Sequence, residues 1–235
     1  MKKTRKVKVI GVGGIGSYLI EPLVRYLNHT GDSIEVTVID GDEYEARNRE
    51  RQTFSEEGNK AKVKVAELRK QFPNVYFKSQ SQYVNDSNVI SLIRDGDEVF
   101  LCVDNHSTRK TVSKRCEELD NILLISGGNE FTDGDVNIYA KKDGRDAKSN
   151  NRSMTDLFSK IADPNDKNPS DLTDEERQGC ERDATENPQL LFMNLTIASI
   201  MCNCYYAYEQ GKVDFERVCT DILSLCSRTK PEKGF

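Results

Sequence analysis

Four glycines, Gly11, Gly13, Gly14 and Gly16, follow a short β-branched run, Val7 to Val12, in the stretch KVKVIGVGGIGS. A strand that enters glycines at this spacing and leaves as a helix brings backbone N–H groups and a helix N-terminus close to an anion, with no Cβ in the way. A second β-rich run, Val36 to Ile39, ends on Asp40. A carboxylate at that strand tip suits a ribose hydroxyl. Glycines and acid together describe a nucleotide site, and on their own they fit NAD as well as ATP.

Asp40 also opens a polar string, DGDEYEARNRERQ, that holds Asp42, Asn48, Arg51 and Gln52. Further along lie Lys60, in GNKAK, and the pair Asp104-Asn105, which closes the apolar run EVFLCV. Taken singly, an arginine-rich run is a solvated face and Asp-Asn a turn. Their order along the chain and their placement at strand tips favour a functional reading.

The elements that must position these residues alternate. Leu19, Leu23 and Leu27 lie four apart in YLIEPLVRYLNH, one apolar face of a helix with Pro22 near its first turn. A turn from Asn28 to Ser33 leads into the second strand, and Glu56 to Phe72 reads as a charged amphipathic helix stopped by Pro73-Asn74. Val75 to Lys78 and Glu98 to Val103 read as strands, Asn88 to Ile93 and Thr108 to Leu119 as helices, and Ile122 to Ser126 as a strand closed by Gly127-Gly128. This alternation predicts a Rossmann-like, doubly wound α/β fold with a mostly parallel sheet and ligand at the carboxyl ends of the strands. Residues 141–187 are poor in aliphatics and rich in Asp, Asn, Lys and Arg, which predicts a long mobile crossover-type loop inside a single domain spanning 1–235. Gln189 to Tyr208 reads as an apolar helix, interrupted by Asn194 and Thr196. Val213 to Arg228 reads as one or two strands that give the sheet a mixed C-terminal part.

A chain of 235 residues is long enough for one well-buried core without a metal or disulfide staple. Its net charge of -5 offers no basic field for nucleic acid. Seven cysteines are an odd number and form no C-x-x-C pair, which argues against a structural zinc and for a reducing, cytoplasmic setting. Lys2 to Lys6 before an apolar run imitates a signal peptide, but Lys8 and the glycines interrupt it. No apolar stretch reaches the ~20 residues of a membrane span.

With these motifs in hand, the chain resembles the ThiF/MoeB/ubiquitin-activating family, most of all its compact bacterial members. The string from Asp40 to Gln52 is similar to the family's D-x-D-x-V-x-x-x-N-x-x-R-Q motif, with Tyr44 in place of the valine. The GxGGxGS of Gly11 to Ser17, the lysine of GNKAK and the CVDN of Cys102 to Asn105 match in order. The resemblance implies that the chain adenylates the C-terminal carboxylate of a ubiquitin-like or sulfur-carrier protein, using ATP and Mg²⁺. It implies that Asn48, Arg51 and Lys60 contact phosphates, that Asp40 holds the ribose and that Gly14 meets the nucleotide through its backbone. Asp104 would bind magnesium, with Asp42, Gln52 and Asn105 completing the shell. It further implies a homodimer and a conjugating enzyme as partners. Bringing a carboxylate against the α-phosphate sets two anions together, so fixed cations such as Arg51 and Lys60 have a clear electrostatic task.

Cys180, in QGCERD, is the candidate nucleophile for a thioester, since Arg177 and Arg182 favour its thiolate. An ordinary loop cysteine is the alternative. Two rival readings stand beside adenylation: an NAD-dependent oxidoreductase, which leaves Asn48, Arg51, Gln52 and Asp104 idle, and a non-catalytic subunit that only binds a conjugation component.

Overall fold

The computed structural model describes residues 4–50, 52–147, 154, 167–173 and 191–230. β1 (Thr4–Ile10) leads through the glycine loop into α1 (Gly14–Thr30), and β2 (Ser33–Ile39) follows. A small ladder of β3 (Glu43–Tyr44) and β4 (Gly58–Asn59) precedes α2 (Lys60–Gln71) and β5 (Tyr76–Gln80). Next come α3 (Val89–Leu92), β6 (Asp97–Leu101), α4 (His106–Glu117), β7 (Ile122–Asn129), β8 (Asp133–Lys142) and β9 (Arg145–Asp146). α5 (Leu191–Glu209) and the hairpin of β10 (Arg217–Asp221) and β11 (Cys226–Lys230) complete the described chain.

The main sheet runs β11-β10-β8-β7-β6-β1-β2-β5, with β9 beside β8. Its β7-β6-β1-β2-β5 portion is parallel, while β8, β9, β10 and β11 add antiparallel pairs. The chain moves outward from β1 to β2 and β5, then returns to the other side of β1 as β6. That reversal opens a crevice at the carboxyl ends of β1 and β6, the place where open α/β sheets bind ligands. The expected doubly wound fold with a mixed C-terminal part is the fold observed.

Each face of the sheet buries its own apolar layer. α1, α2 and α5 cover one face with Leu19, Leu23, Leu27, Val65, Leu68, Met193, Ile197 and Met201. α3 and α4 cover the other with Leu92, Val112 and Cys116 packed on Ile10, Leu101 and Leu124. Strands buried on both faces read as continuous apolar runs, which is why EVFLCV and VKVI are so legible.

Several boundaries differ from the sequence expectation for local reasons. α1 starts at Gly14, so Pro22 lies inside the helix rather than in its first turn. α2 begins at Lys60, not Glu56, because Asn59 caps it by accepting from the Lys62 N–H at 3.2 Å. β7 continues through Gly127 and Gly128 to Asn129. There, Cβ atoms on Gly127 would come within 2.4 Å of Met201 Sδ, so this glycine lets α5 close on the strand instead of ending it. The hairpin partner β8 has no counterpart in the sequence reading.

Within 141–187, residues 141–147 carry the end of β8 and β9. Asn168 is buried and donates to the Val84 carbonyl at 2.8 Å and the Thr108 hydroxyl at 3.2 Å.

Candidate nucleotide site

The crevice begins with sterics. Gly11 has φ of +84°, and a Cβ there would lie 2.9 Å from the Cys102 carbonyl oxygen just past β6. A Cβ on Gly16 would fall 2.0 Å from the Gly11 carbonyl oxygen. Only glycine lets β1, the loop and the first turn of α1 pack this closely. The Gly11 N–H donates to the Ile39 carbonyl at 2.9 Å, and the Cys102 N–H to the Ile10 carbonyl at 2.8 Å, so the loop is stitched to both flanking strands. α1 starts after Gly13 with no side-chain cap, leaving first-turn N–H groups facing the crevice for an anion.

Val12, in the middle of that loop, is held through both backbone groups. Its N–H donates to Asp40 Oδ2 at 2.7 Å. Its carbonyl accepts from the Tyr44 hydroxyl at 2.6 Å. Tyr44 is itself fixed by stacking on Phe54, with ring centroids 4.5 Å apart. Burial pushes the Tyr44 phenol well above its ordinary range, so it remains a donor.

Asp40 accepts a second N–H, that of Asp42, through Oδ1 at 2.9 Å. Each carboxylate oxygen keeps a lone pair for a further donor such as a ribose hydroxyl. Burial pushes the Asp40 carboxyl up to about 6, with Lys60 opposing the rise and Asp42 adding to it. Lys60 sits at the start of α2, and its ammonium donates to Asp42 Oδ2 at 3.0 Å. Burial would lower its pKa, but Asp40, Asp42 and Asp104 together raise it, so the ammonium stays charged. Backbone bonds lock this arrangement: the Lys60 N–H donates to the Asp42 carbonyl at 2.9 Å, and Asn59 Nδ2 to the Asp40 and Asp42 carbonyls at 3.2 and 3.0 Å.

Gln52 is buried beside Gly13, its Nε2 3.8 Å from the position a Cβ would take, and its Oε1 has no hydrogen-bond partner. Asp104 is exposed just beyond β6. Asn105 caps α4 by accepting from the Thr108 N–H at 2.8 Å. Arg109, buried on α4, donates to Ser126 Oγ at 2.7 Å, to the Gly127 carbonyl at 2.8 Å and to the Val103 carbonyl, tying α4 to the carboxyl ends of β6 and β7. Asn48 Oδ1 accepts from the Glu45 N–H at 3.0 Å, an engagement within its own turn.

The fold therefore gathers Gly11, Gly13, Gly14, Gly16, Asp40, Asp42, Gln52 and Lys60 around the glycine loop, with Asp104 close enough to raise the Lys60 pKa. Arg51 and Cys180 lie outside the described residues. Cys102, Cys116 and Cys204 are buried in the core, where burial pushes their thiols up. Tyr44 and Asn59 carry structure that local motif reading gives no role. For Tyr44 the signal was its departure from the motif's valine.

The chain belongs to the ThiF family. The family model matches residues 1–212. Among curated relatives, the Adenylyltransferase and sulfurtransferase MOCS3 of Drosophila ananassae is 29% identical over 149 residues, covering 60% of this chain and 31% of the relative. The MOCS3 protein of Drosophila sechellia is 30% identical over 141 residues, 58% of this chain and 30% of the relative. The chain thus spans about a third of the length of these relatives. Among solved structures, the microcin C7 biosynthetic enzyme MccB in complex with N-formylated MccA superposes with a TM-score of 0.70 at 16% identity, over 97% of this chain and 64% of that one. E. coli MccB with ATP gives a TM-score of 0.66 at 16% identity, over 97% of this chain and 63% of that one. At such identities the structural matches establish a shared fold.

The residues fit a nucleoside triphosphate and a magnesium ion. A glycine loop that Cβ atoms would fill, uncapped N–H groups and a buried ammonium suit phosphates. Among the described residues no group of three His, Cys, Asp or Glu side chains forms a metal cage. Magnesium is commonly held by one or two carboxylates with substrate phosphates and water, and Asp104 offers one exposed carboxylate at this end of the sheet. Among the described residues no helix is long and apolar enough to cross a membrane.

Proposed function

We propose that this chain is an adenylating enzyme that activates the C-terminal carboxylate of a small carrier protein or peptide with ATP, leaving an acyl adenylate and pyrophosphate. The observation that carries the reading is the buried ammonium of Lys60 set among Asp40, Asp42 and Asp104 beside the glycine loop. An NAD oxidoreductase needs neither that fixed cation nor Asp104. Adenylation needs both, because the attacking carboxylate and the α-phosphate repel. The MOCS3 name and the MccB complexes with MccA and with ATP support the same chemistry.

In this reading the glycine loop and the α1 N-terminus seat the phosphates, and Asp40 accepts from the ribose. Lys60, turned from Asp42 toward the phosphates, offsets charge as the carboxylate oxygen bonds to the α-phosphorus and the bond to the β-phosphate oxygen breaks. Arg51 adds a second cation. Magnesium, held through Asp104, supplies further charge neutralisation when bound. Cys180 then takes the acyl group as a thioester, its thiolate displacing AMP. The partner is a ubiquitin-like or sulfur-carrier protein or a peptide, and a homodimer, a cytoplasmic location and a downstream transfer enzyme belong to the same proposal.

Mass spectrometry of purified β-grasp carriers and short peptides, incubated with the chain, ATP and Mg²⁺, tests this directly. The expected product is a carboxyl-terminal adenylate that Lys60→Met fails to form. A thiol-labile adduct on the chain that persists in Cys180→Ser would remove Cys180 as the thioester nucleophile and leave adenylation standing.

A further inference from the structure

The α5 helix is apolar along most of its length, yet its fourth residue is Asn194. Asn194 is fully buried, and neither Nδ2 nor Oδ1 has a hydrogen-bond partner. Its amide lies directly over the glycine loop: a Cβ on Gly14 would meet Asn194 Nδ2 at 2.7 Å and Oδ1 at 3.0 Å. Buried amides without partners are unfavourable, and an apolar residue of the same shape would remove the penalty. Flanking positions Met193 and Ile197 are apolar and buried, so packing alone asks for Leu here.

The second orphan amide of the region, Gln52, lies beside Gly13. Two carboxamides with unpartnered buried atoms thus flank consecutive glycines at the uncapped start of α1. Of these orphan atoms the donor, Asn194 Nδ2, calls for a ligand that accepts hydrogen bonds at a helix N-terminus, an anion such as a phosphate, while the acceptors Asn194 Oδ1 and Gln52 Oε1 suit the water that accompanies it.

We infer that Asn194 is a phosphate-binding residue of the nucleotide site, its Nδ2 donating to a phosphate oxygen seated over Gly14, with Oδ1 left for a water of the phosphate's hydration shell. The inference rests on the ATP-dependent reading above and adds to it a residue from the C-terminal half of the chain, outside the glycine loop and the polar string. It also links α5 to the loop, so that nucleotide binding relieves a polar defect between α1 and α5.

The test compares wild type, Asn194→Leu and Asn194→Asp by thermal denaturation without nucleotide and by calorimetric titration with ATP and with adenosine. Asn194→Leu is expected to melt at the same or a higher temperature than wild type, yet to bind ATP about tenfold or more weakly, as befits loss of one hydrogen bond to a charged group. Adenosine, which has no phosphate, should bind both proteins alike. Asn194→Asp, nearly isosteric, sets a carboxylate where the phosphate sits and should weaken ATP further, which keeps the test sharp even if Asn194→Leu fails to fold. If wild type binds ATP and either variant binds it with unchanged affinity, Asn194 is a packing residue and the inference fails alone. If folded wild type binds no ATP, the adenylation reading and the inference fall together.

Discussion

The Tyr44 hydroxyl donates to the Val12 carbonyl at 2.6 Å, across 32 residues of sequence. Because Asp40 holds the Val12 N–H, the polar string after β2 grips the glycine loop at two successive backbone groups. The loop that would seat the phosphates and the acid that would hold the ribose form one rigid unit. Tyr44→Phe keeps the stack on Phe54 but leaves a buried carbonyl unpaired. It should lower stability by about 1 to 3 kcal/mol and weaken ATP binding several-fold. Urea unfolding and ATP titration of the same variant check both effects.

The Asp40 carboxyl sits at about 6 in the folded chain, against 3.8 ordinarily, chiefly because it is buried. Between those values the folded chain binds the proton and the unfolded chain does not. This group's contribution therefore falls as pH rises through that window, the reverse of a salt-bridged carboxylate. Nucleotide binding has the opposite sense, because a ribose hydroxyl needs the ionised acceptor, so ATP affinity should drop as pH is lowered through about 6. Asp40→Asn should abolish that pH dependence, as judged by ATP titration at several pH values and by stability curves over the same range.

Gly16 and Gly31 separate two uses of glycine. A Cβ on Gly16 would clash with the Gly11 carbonyl oxygen at 2.0 Å, whereas Gly31, the left-handed cap of α1 at φ +79°, has nothing within 4 Å. Gly31→Ala should cost about 1 kcal/mol of stability and leave ATP binding intact. Gly16→Ala should cost more and lose ATP binding, as thermal melts with and without ATP would show.

The nucleotide end of the fold was legible in the sequence because it depends on local chemistry. Gly11 and Gly16 answer to sterics, Asp40 to the end of a strand, and Lys60 to the start of a helix capped by Asn59. What escaped depends on contacts distant in sequence. The role of Tyr44 needs the loop 32 residues earlier. Asn194 reads only as a blemish in an apolar helix until α5 is packed on Gly14. Gly127-Gly128 reads as the end of β7 until Met201 of α5 is seen to occupy the space a side chain would need. β8 is hidden in the sequence for a related reason: it stands out only as the hairpin partner of a β7 that runs on through Gly127-Gly128 to Asn129.

Asp104 and Lys60 should part ways under mutation. Asp104 is exposed, so Asp104→Asn should change stability by less than about 0.5 kcal/mol. It should nonetheless lower adenylation by about a hundredfold or more and raise the magnesium concentration required. Lys60→Met removes the cation from among Asp40, Asp42 and Asp104, and should destabilise the chain near neutral pH as well as abolish activity, with part of the stability recovered as the pH is lowered toward that of Asp40. Melting temperature against pH, alongside adenylation rate against magnesium, distinguishes the two residues.

ATP–pyrophosphate exchange, measured with Mg²⁺ across β-grasp carriers and carboxyl-terminated peptides, is the decisive measurement. Exchange that requires one of these partners, and that disappears in both Lys60→Met and Asp104→Asn, is the predicted result. Folded wild-type chain that binds ATP yet supports no exchange with any of them, or exchange that survives in Lys60→Met, would contradict an adenylating role for this site.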